Sequence, residues 1–297
     1  MLEFKEITIE DKDIFDKYLK DYKFKTSEFS FTSFLIWRKG CDIKYCIYDG
    51  ALIIKKKDFN GKYHFMQPIG YSRESLNNII QELEKYKEEN NMDYLFKDVE
   101  DAFKEELRKI YGDNIKIGED VDNFDYIYLS EKLINLSGKK LHSKKNHYNN
   151  FVKNYNYTVK DFSEDGVIEE CVLAAQKWYD ENSNGDVYLA YELEGIKEIL
   201  KYADILNLKG IAVYINNIIS AFTIGEIVNE SMAIVHIEKG RKDVNGIYVF
   251  INKTFVERYC SEVTYVNREQ DLGIEGLRKA KMSYKPVKLE KKYCINI

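Results

Sequence analysis

The chain has 297 residues, 45 Lys+Arg against 50 Asp+Glu, and 44% hydrophobic residues. It is long enough for one large domain or two ordinary ones with a real core, and too evenly charged to be a disordered acidic or basic polymer. Two prolines exclude a proline-rich scaffold, no apolar run approaches the ~20 residues that span a bilayer, and the opening MLEFKEITIEDKD has no apolar signal core, so a cytoplasmic location is expected.

In chain order, residues 11–20 carry a helical pattern and 29–37 form an aromatic, apolar segment. Strands are predicted over 43–48, 52–57 and 62–66. The Asp49-Gly50 and Asn60-Gly61 pairs between them are hairpin turns, so the three make an antiparallel meander. A long amphipathic helix over 72–90 follows, with Leu76, Ile79, Ile80 and Leu83 on one face. A strand at 94–96, a helix at 100–111 and strands at 115–117 and 126–129 complete the first half. The second half repeats this logic. A strand at 157–162 precedes helices near 166–181 and 189–204. Strands at 210–215, 218–226 and 231–238 make a second meander, turning on Asn216-Asn217, a pair that tolerates positive φ. A loop at 239–244, a helix from Asn245 to about Tyr259, a strand at 263–266, a helix around 275–282 and a closing strand at 287–294 end it. Two such α+β units suggest a duplication with its boundary near residue 130. The expected domains are residues 1–130 and residues 131–297, the second carrying the candidate active site. No Gly/Ser/Pro linker separates them, so close packing is expected.

Five cysteines (Cys41, Cys46, Cys171, Cys260, Cys294) are odd in number and lack a C-x-x-C, which argues for reduced thiols rather than a disulfide framework or zinc ribbon. The four histidines are too scattered for a metal cluster, so no metal is expected. Charge is unevenly placed. Residues 1–130 hold 21 Lys+Arg and 27 Asp+Glu, whereas Lys132 to Lys160 contains seven Lys, two His and no acid, and Arg278 to Lys292 is nearly as basic. Two exposed surfaces explain these runs blandly; an anion site for phosphate or nucleic acid explains them more sharply. The basic run lacks a Leu/Phe/Trp face, so a membrane-surface helix is not expected there. Tyr148, Tyr155 and Tyr157 interleave with it, and a structural role is the default for them.

Three groups of residues are candidates for chemistry. Gly240, Arg241 and Lys242 precede a helix beginning at Asn245 or Gly246, where free amides and the positive helix end favour an anion; a capped connecting loop is the alternative. His236 and Glu238 lie two apart near the end of a strand, so their side chains are expected to share one face at a cleft mouth, either one serving as general base. Asn267, Glu269 and Asp271 follow a short apolar strand. Asn267 and Glu269 suit a site edge, and Asp271 suits either substrate binding or a helix cap.

The meander followed by loop, helix, strand and helix resembles the N-acetyltransferase-like (GNAT) fold. The doubled form resembles the tandem-GNAT family that includes the C-terminal domain of phosphatidylglycerol lysyltransferases, with Fem-type aminoacyltransferases as distant relatives. The residues that carry the likeness are the basic segment 138–153, RKDVNG at 241–246 and NREQDLG at 267–273 with Leu277-Arg278-Lys279; EFSFTSFLIWR at 28–38 and HFMQPIG at 64–70 resemble stand-alone members more than the synthases. The resemblance implies an α+β chain of two tandem GNAT-like domains, each a mixed, largely antiparallel sheet flanked by helices. It also implies acyl transfer, with aminoacyl-tRNA as the donor in characterised relatives. Acetyl-CoA users of the fold carry a Q/R-x-x-G-x-G/A loop, and KGRKDVNG at 239–246 lacks that compact glycine pattern. The leading expectation is therefore aminoacyl transfer from a phosphate-bearing donor such as aminoacyl-tRNA to an amine or hydroxyl. His236, Glu238 and Glu269 would be catalytic, Asn267, Asp271, Asn245 and Gly246 would bind substrate, and Lys139, Lys140, Lys144, Lys145, Arg241, Arg278 and Lys279 would hold phosphate. Acyl-CoA-dependent N-acyl transfer and a catalytically silent anion or nucleic-acid binding module are the alternatives. Without the synthases' membrane portion, a lipid acceptor is not expected.

Overall fold

The computed structural model describes residues 2–297, which form two compact units: residues 2–124 with 290–297, and residues 125–289.

The first unit is built on the strands β1 (Lys5–Glu6), β2 (Lys44–Tyr48), β3 (Ala51–Lys57), β4 (Tyr63–Phe65), β5 (Phe96–Val99), β6 (Lys116–Glu119) and the C-terminal β14 (Tyr293–Asn296), in the order β1-β2-β3-β4-β5-β14-β6. Asp49 and Gly50 join β2 to β3 with φ of 49° and 79°, the left-handed pair that a tight hairpin needs. The four helices are α1 (Lys12–Leu19), α2 (Phe31–Trp37), α3 (Arg73–Glu89) and α4 (Asp101–Tyr111). The aromatic segment around Phe31 is thus a short helix, started by Ser30, whose side chain accepts from the amide of Ser33. In α3, Ser72 and Ser75 cap each other, and Leu76, Ile79, Ile80 and Leu83 are buried against the sheet core. Each such side chain contributes about 1.5–3 kcal/mol by leaving water.

The second unit contains β7 (Asp125–Leu129), α5 (Ser130–Asn135), α6 (His142–Asn154), β8 (Tyr157–Asp161), α7 (Val167–Asn182), α8 (Val187–Lys201), β9 (Lys209–Ile215), β10 (Ile218–Asn229), β11 (Met232–Gly240), α9 (Ile247–Tyr259), β12 (Tyr265–Asn267), α10 (Glu275–Ser283) and β13 (Lys288–Glu290). Its sheet order is β13-β7-β12-β11-β10-β9-β8. Asn216 and Asn217 both take positive φ in the β9–β10 turn. The basic run forms α6, whose one buried side chain, Phe151, stacks on Phe250 of α9 with ring centroids 4.3 Å apart.

Two features position the site. First, β11 and β12 pair in parallel over only three residues, Met232 to Ile234 against Tyr265 to Asn267. Beyond Ile234, β11 stays paired with β10 as far as Gly240, but its other edge has no strand partner among the described residues, so the two parallel strands part. Second, the β10–β11 register slips between Ile224↔Ile237 and Gly225↔Val235, which makes His236 the extra residue of a β-bulge. Gly225 is required there: a Cβ would lie 2.4 Å from the Ile234 carbonyl oxygen.

Strand membership differs from the halves read along the chain. The strand over 126–129, expected to end residues 1–130, pairs antiparallel with β12 in the second sheet. The closing strand expected over 287–294 is two strands: β13 joins the second sheet, beside β7, and β14 pairs with β5 and β6 in the first. Residue patterning marks a strand and its faces but not the sheet it joins.

Candidate functional site

At the parting of β11 and β12, His236 lies between two carboxylates. Its Nδ1 is 2.8 Å from Glu269 Oε1, just past the end of β12, and its Nε2 is 2.9 Å from Glu226 Oε1 on β10. The His236 side chain has no exposed surface, while those of Glu226 and Glu269 keep 15% and 17%. Burial disfavours the imidazolium, but the two carboxylates outweigh it and raise the pKa to about 9. At neutral pH both ring nitrogens therefore donate, and His236 has no lone pair with which to accept a proton. The general-base role expected of it does not suit this geometry. Burial pushes Glu269 above its ordinary carboxylate value, against the pull of His236.

Glu238 does not share this site face with His236. Val235 packs in the core with α9, and Glu238, three residues on, is also turned to α9, where its Oε2 accepts from Asn252 Nδ2. The bulge at His236 breaks the two-residue alternation that placed the pair together. Glu238 Oε1 accepts from Arg268 at 3.0 Å, so each of its oxygens is engaged.

The segment after β12 is tightly bonded. Arg268 N donates to Tyr126 O and Tyr126 N to Glu269 O. Glu269 N donates to Asn267 Oδ1, whose amide nitrogen donates to Asp125. Asn267 is therefore fully buried and shapes the site from behind rather than facing a substrate. Glu269 itself has φ of 56°, a left-handed conformation that costs a non-glycine residue on the order of 1–3 kcal/mol and gathers at functional sites. Asp271 is buried and accepts from both Arg278 Nε and Nη2 at 2.8 Å, from Gly273 N and from the Tyr126 hydroxyl. Neither substrate binding nor a helix cap describes it, since Ile274 is the residue that precedes α10.

The expected phosphate residues are not gathered in one place. Arg241 forms a two-pronged pair with Asp243 at the surface. In the loop before α9, the amides of Arg241, Val244, Asn245 and Ile247 donate to Ser220 O, Arg241 O, the Tyr155 hydroxyl and Val244 O. Gly246, with φ of 84°, abuts α6: a Cβ there would lie 2.5 Å from His147 O. Four of the amides around this helix start are thus engaged, and Gly246 lies against α6, which leaves less room for the anion reading of Arg241, Asn245 and Gly246. Arg278 is committed to Asp271, and Lys279 is exposed beside Glu275. Lys139, Lys140 and Lys145 are exposed. Lys144 differs. It is half-buried, its Nζ stands 4.1 Å from the Tyr284 ring centroid, and no hydrogen bond or ion pair reaches it among the described residues. Arg268 faces the same ring, its Cζ 4.7 Å from the centroid. Burial first, then Arg268, lowers the Lys144 pKa, while Glu238 opposes. Lys144, Arg268, Tyr284 and Glu238 thus form a second group, on the side of β11 that is turned to α9. Glu226, Arg268 and Tyr284 were not found by sequence reasoning. Arg268 lies inside the NREQDLG motif, but nothing local marks Glu226, which meets His236 only through the sheet register.

The first unit repeats the arrangement in closed form. Phe65 of β4 pairs in parallel with Phe96 of β5, and two residues later Asp98 has φ of 56° and lies 3.4 Å from His64 Nε2. In the second unit Asn267 is the last paired residue of β12, and Glu269, two residues later, has the same φ. In the first unit, however, the buried Lys56 pairs with Asp98 at 2.7 Å and with Glu28, and the wholly buried Lys292 pairs with Glu28 at 3.0 Å. Charge is neutralised from within.

The titration of His236 predicts a pH dependence of folding. Folding raises its pKa from 6.5 to about 9, so its contribution is complete below 6.5 and disappears as pH rises through 9. Lys281, lowered to about 8 chiefly by burial, acts in the opposite sense above pH 8. The melting temperature of the second unit is expected to fall between pH 6.5 and 8, and His236→Gln is expected to flatten that slope. Thermal denaturation across this range checks both.

A mixed sheet whose parallel strands part, built twice in one chain, defines an α+β protein of two tandem GNAT-like units. The chain belongs to the family described as phosphatidylglycerol lysyltransferase, C-terminal, whose model matches residues 19–296. A conserved protein of unknown function from Bacteroides thetaiotaomicron is 30% identical over 99% of both chains, with a TM-score of 0.89. The C-terminal domain of a putative lysylphosphatidylglycerol synthetase from Agrobacterium fabrum is 12% identical, with a TM-score of 0.65 over 96% of this chain and 92% of that one. A tandem GNAT protein from the clavulanic acid biosynthesis pathway is 7% identical, with a TM-score of 0.53 over 99% and 97%. An uncharacterised protein of Mycoplasmoides gallisepticum is 25% identical over 58% of this chain; the match spans about half, 56%, of that relative's length. No helix among the described residues is long and apolar enough to cross a membrane.

Proposed function

We propose that the second unit is an acyltransferase that moves an aminoacyl group from a phosphate-bearing donor, such as an aminoacyl-tRNA, to an amine or hydroxyl acceptor. The observation that carries this reading is the carboxylate–imidazolium–carboxylate chain where β11 and β12 part, in a unit that also holds the half-buried Lys144, which has no ion-pair partner among the described residues. The reading is supported by the family and the fold, and by the neutralised counterpart in the first unit, which leaves the second as the place for chemistry.

The reaction asks for three things: an oriented donor, a place for the developing oxyanion and a route for one proton. Lys144 holds donor phosphate. The edge of β11 beyond Ile234, which has no strand partner among the described residues, is the place proposed for the acyl carbonyl. The acceptor nitrogen or oxygen forms a bond to that carbonyl carbon, and the bond to the donor ribose oxygen breaks. Glu269, with its raised pKa, takes the acceptor proton, and that proton finally resides on the leaving hydroxyl. His236 keeps Glu269 and Glu226 in place and balances their charge. The amides of Arg241, Val244 and Asn245 before α9 are engaged and so do not serve a CoA pyrophosphate at that loop.

Labelled aminoacyl-tRNA incubated with the full chain and candidate amine or hydroxyl acceptors tests the reading; transfer of label supports it, and intact donor across the acceptor panel counts against it. Lys144→Ala is expected to weaken donor binding about tenfold, by removing one phosphate contact, without lowering the melting temperature. A gel-shift titration with tRNA at fixed salt checks this.

A further inference from the structure

Glu269 holds a left-handed backbone while presenting its carboxylate to His236. Such a conformation persists only where its surroundings over-determine it. On one side the bonds to Tyr126 and Asn267 fix it. On the other, the Lys281 ammonium, carried on α10 and 9% exposed, donates to Arg268 O at 2.6 Å and to Gln270 O. These carbonyls flank Glu269 directly. The lysine is itself anchored, because its own carbonyl accepts from the Tyr128 hydroxyl at 2.8 Å. A buried ammonium spent on two backbone carbonyls, with no carboxylate at hydrogen-bond distance among the described residues, is a costly way to fill space. It is an effective way to fix a turn.

We infer that Lys281 is the positioning residue of this site: by clamping the carbonyls on either side of Glu269 it holds that carboxylate against His236. The inference rests on placing the site in the second unit, but it concerns the geometry of the pair rather than the reaction, so it can fail while the transferase reading survives. The charged groups around the clamp are Glu269, Arg268, Asp125 and Asp271, with Glu226 on the far side of the imidazole. None of them bonds the two carbonyls that Lys281 holds.

The test is a proton NMR titration of His236 in the full chain. Lys281→Met is expected to lower the His236 pKa by about one unit or more, because loosening Glu269 removes one of the two carboxylates that stabilise the imidazolium. Lys281→Arg, which keeps charged donors at the same place, is expected to restore most of the shift, and Lys279→Met, on the exposed side of the same helix, to leave it unchanged. A His236 titration in folded Lys281→Met equal to that of the wild type overturns the inference. The wild-type protein gives a second reading should Lys281→Met not fold. A doubly bonded, buried ammonium yields a slowly exchanging Lys281 proton–nitrogen signal, absent in Lys281→Arg, and a Lys281 ammonium that exchanges as fast as the surface lysines also overturns it.

Discussion

Lys292→Met is expected to destabilise the first unit by about 3–5 kcal/mol, a fall in melting temperature on the order of 10 °C, because it breaks a buried ion pair and leaves charge uncompensated. Lys292 has no exposed surface, and its Nζ lies 3.0 Å from Glu28, which also pairs with Lys56. Lys56 in turn meets Asp98, whose pKa lies well below the ordinary value: burial opposes ionisation, but Lys56, His64 and Lys292 outweigh it. The group shares two cations between two carboxylates, so the loss of one lysine is felt by all the others. Combining Lys292→Met with Glu28→Gln is expected to cost less than the sum of the two changes, since the second removes the charge that the first leaves stranded. Chemical denaturation of the three variants checks both statements. Because Lys292 directly precedes β14, the same variant is expected to speed amide exchange in that strand.

The second large effect falls on activity. Glu269→Gln is expected to reduce transfer on the order of 10²–10⁴-fold, the range for loss of a proton-transfer group. The amide keeps the volume of the side chain and its acceptor oxygen toward His236 but cannot take the acceptor proton. Glu226→Gln, which leaves Glu269 intact, is expected to cost less and to lower the His236 pKa. If Glu269→Gln were to transfer at the wild-type rate while Glu238→Gln did not, the roles assigned on either side of the bulge would be reversed. Initial rates at matched donor concentration decide between these outcomes.

The architecture was legible where local chemistry dictates it. Asp49-Gly50 and Asn216-Asn217 carry the positive φ values that hairpins demand, and the stripe of Leu76, Ile79, Ile80 and Leu83 faces the core of the first unit. His236, Glu269 and Lys144 were singled out as candidates because strand ends and an acid-free basic run are local signals. What failed depended on bonds formed at a distance. The amides before α9 are engaged by Ser220, Tyr155 and turn carbonyls, and no residue pattern around Arg241 records that. A one-residue bulge reassigned Glu238 to α9, and the sheet register brought in Glu226. Lys281 reads in sequence as one more member of a basic run, yet it is buried against carbonyls, while Arg278 beside it serves Asp271. The exchange of β7 and β14 between sheets is equally silent along the chain.

Donor phosphate at Lys144 and acyl group at Glu269 are proposed to belong to one bound donor. A crystal structure of the full chain with a hydrolysis-resistant amide analogue of an aminoacyl-adenosine 5′-phosphate tests it most directly. The expected result is a phosphate within ion-pair distance of Lys144 and the acyl carbonyl in the gap beside Glu269. An analogue bound instead at the loop of Arg241 and Asn245, or in the first unit beside Asp98, would contradict it.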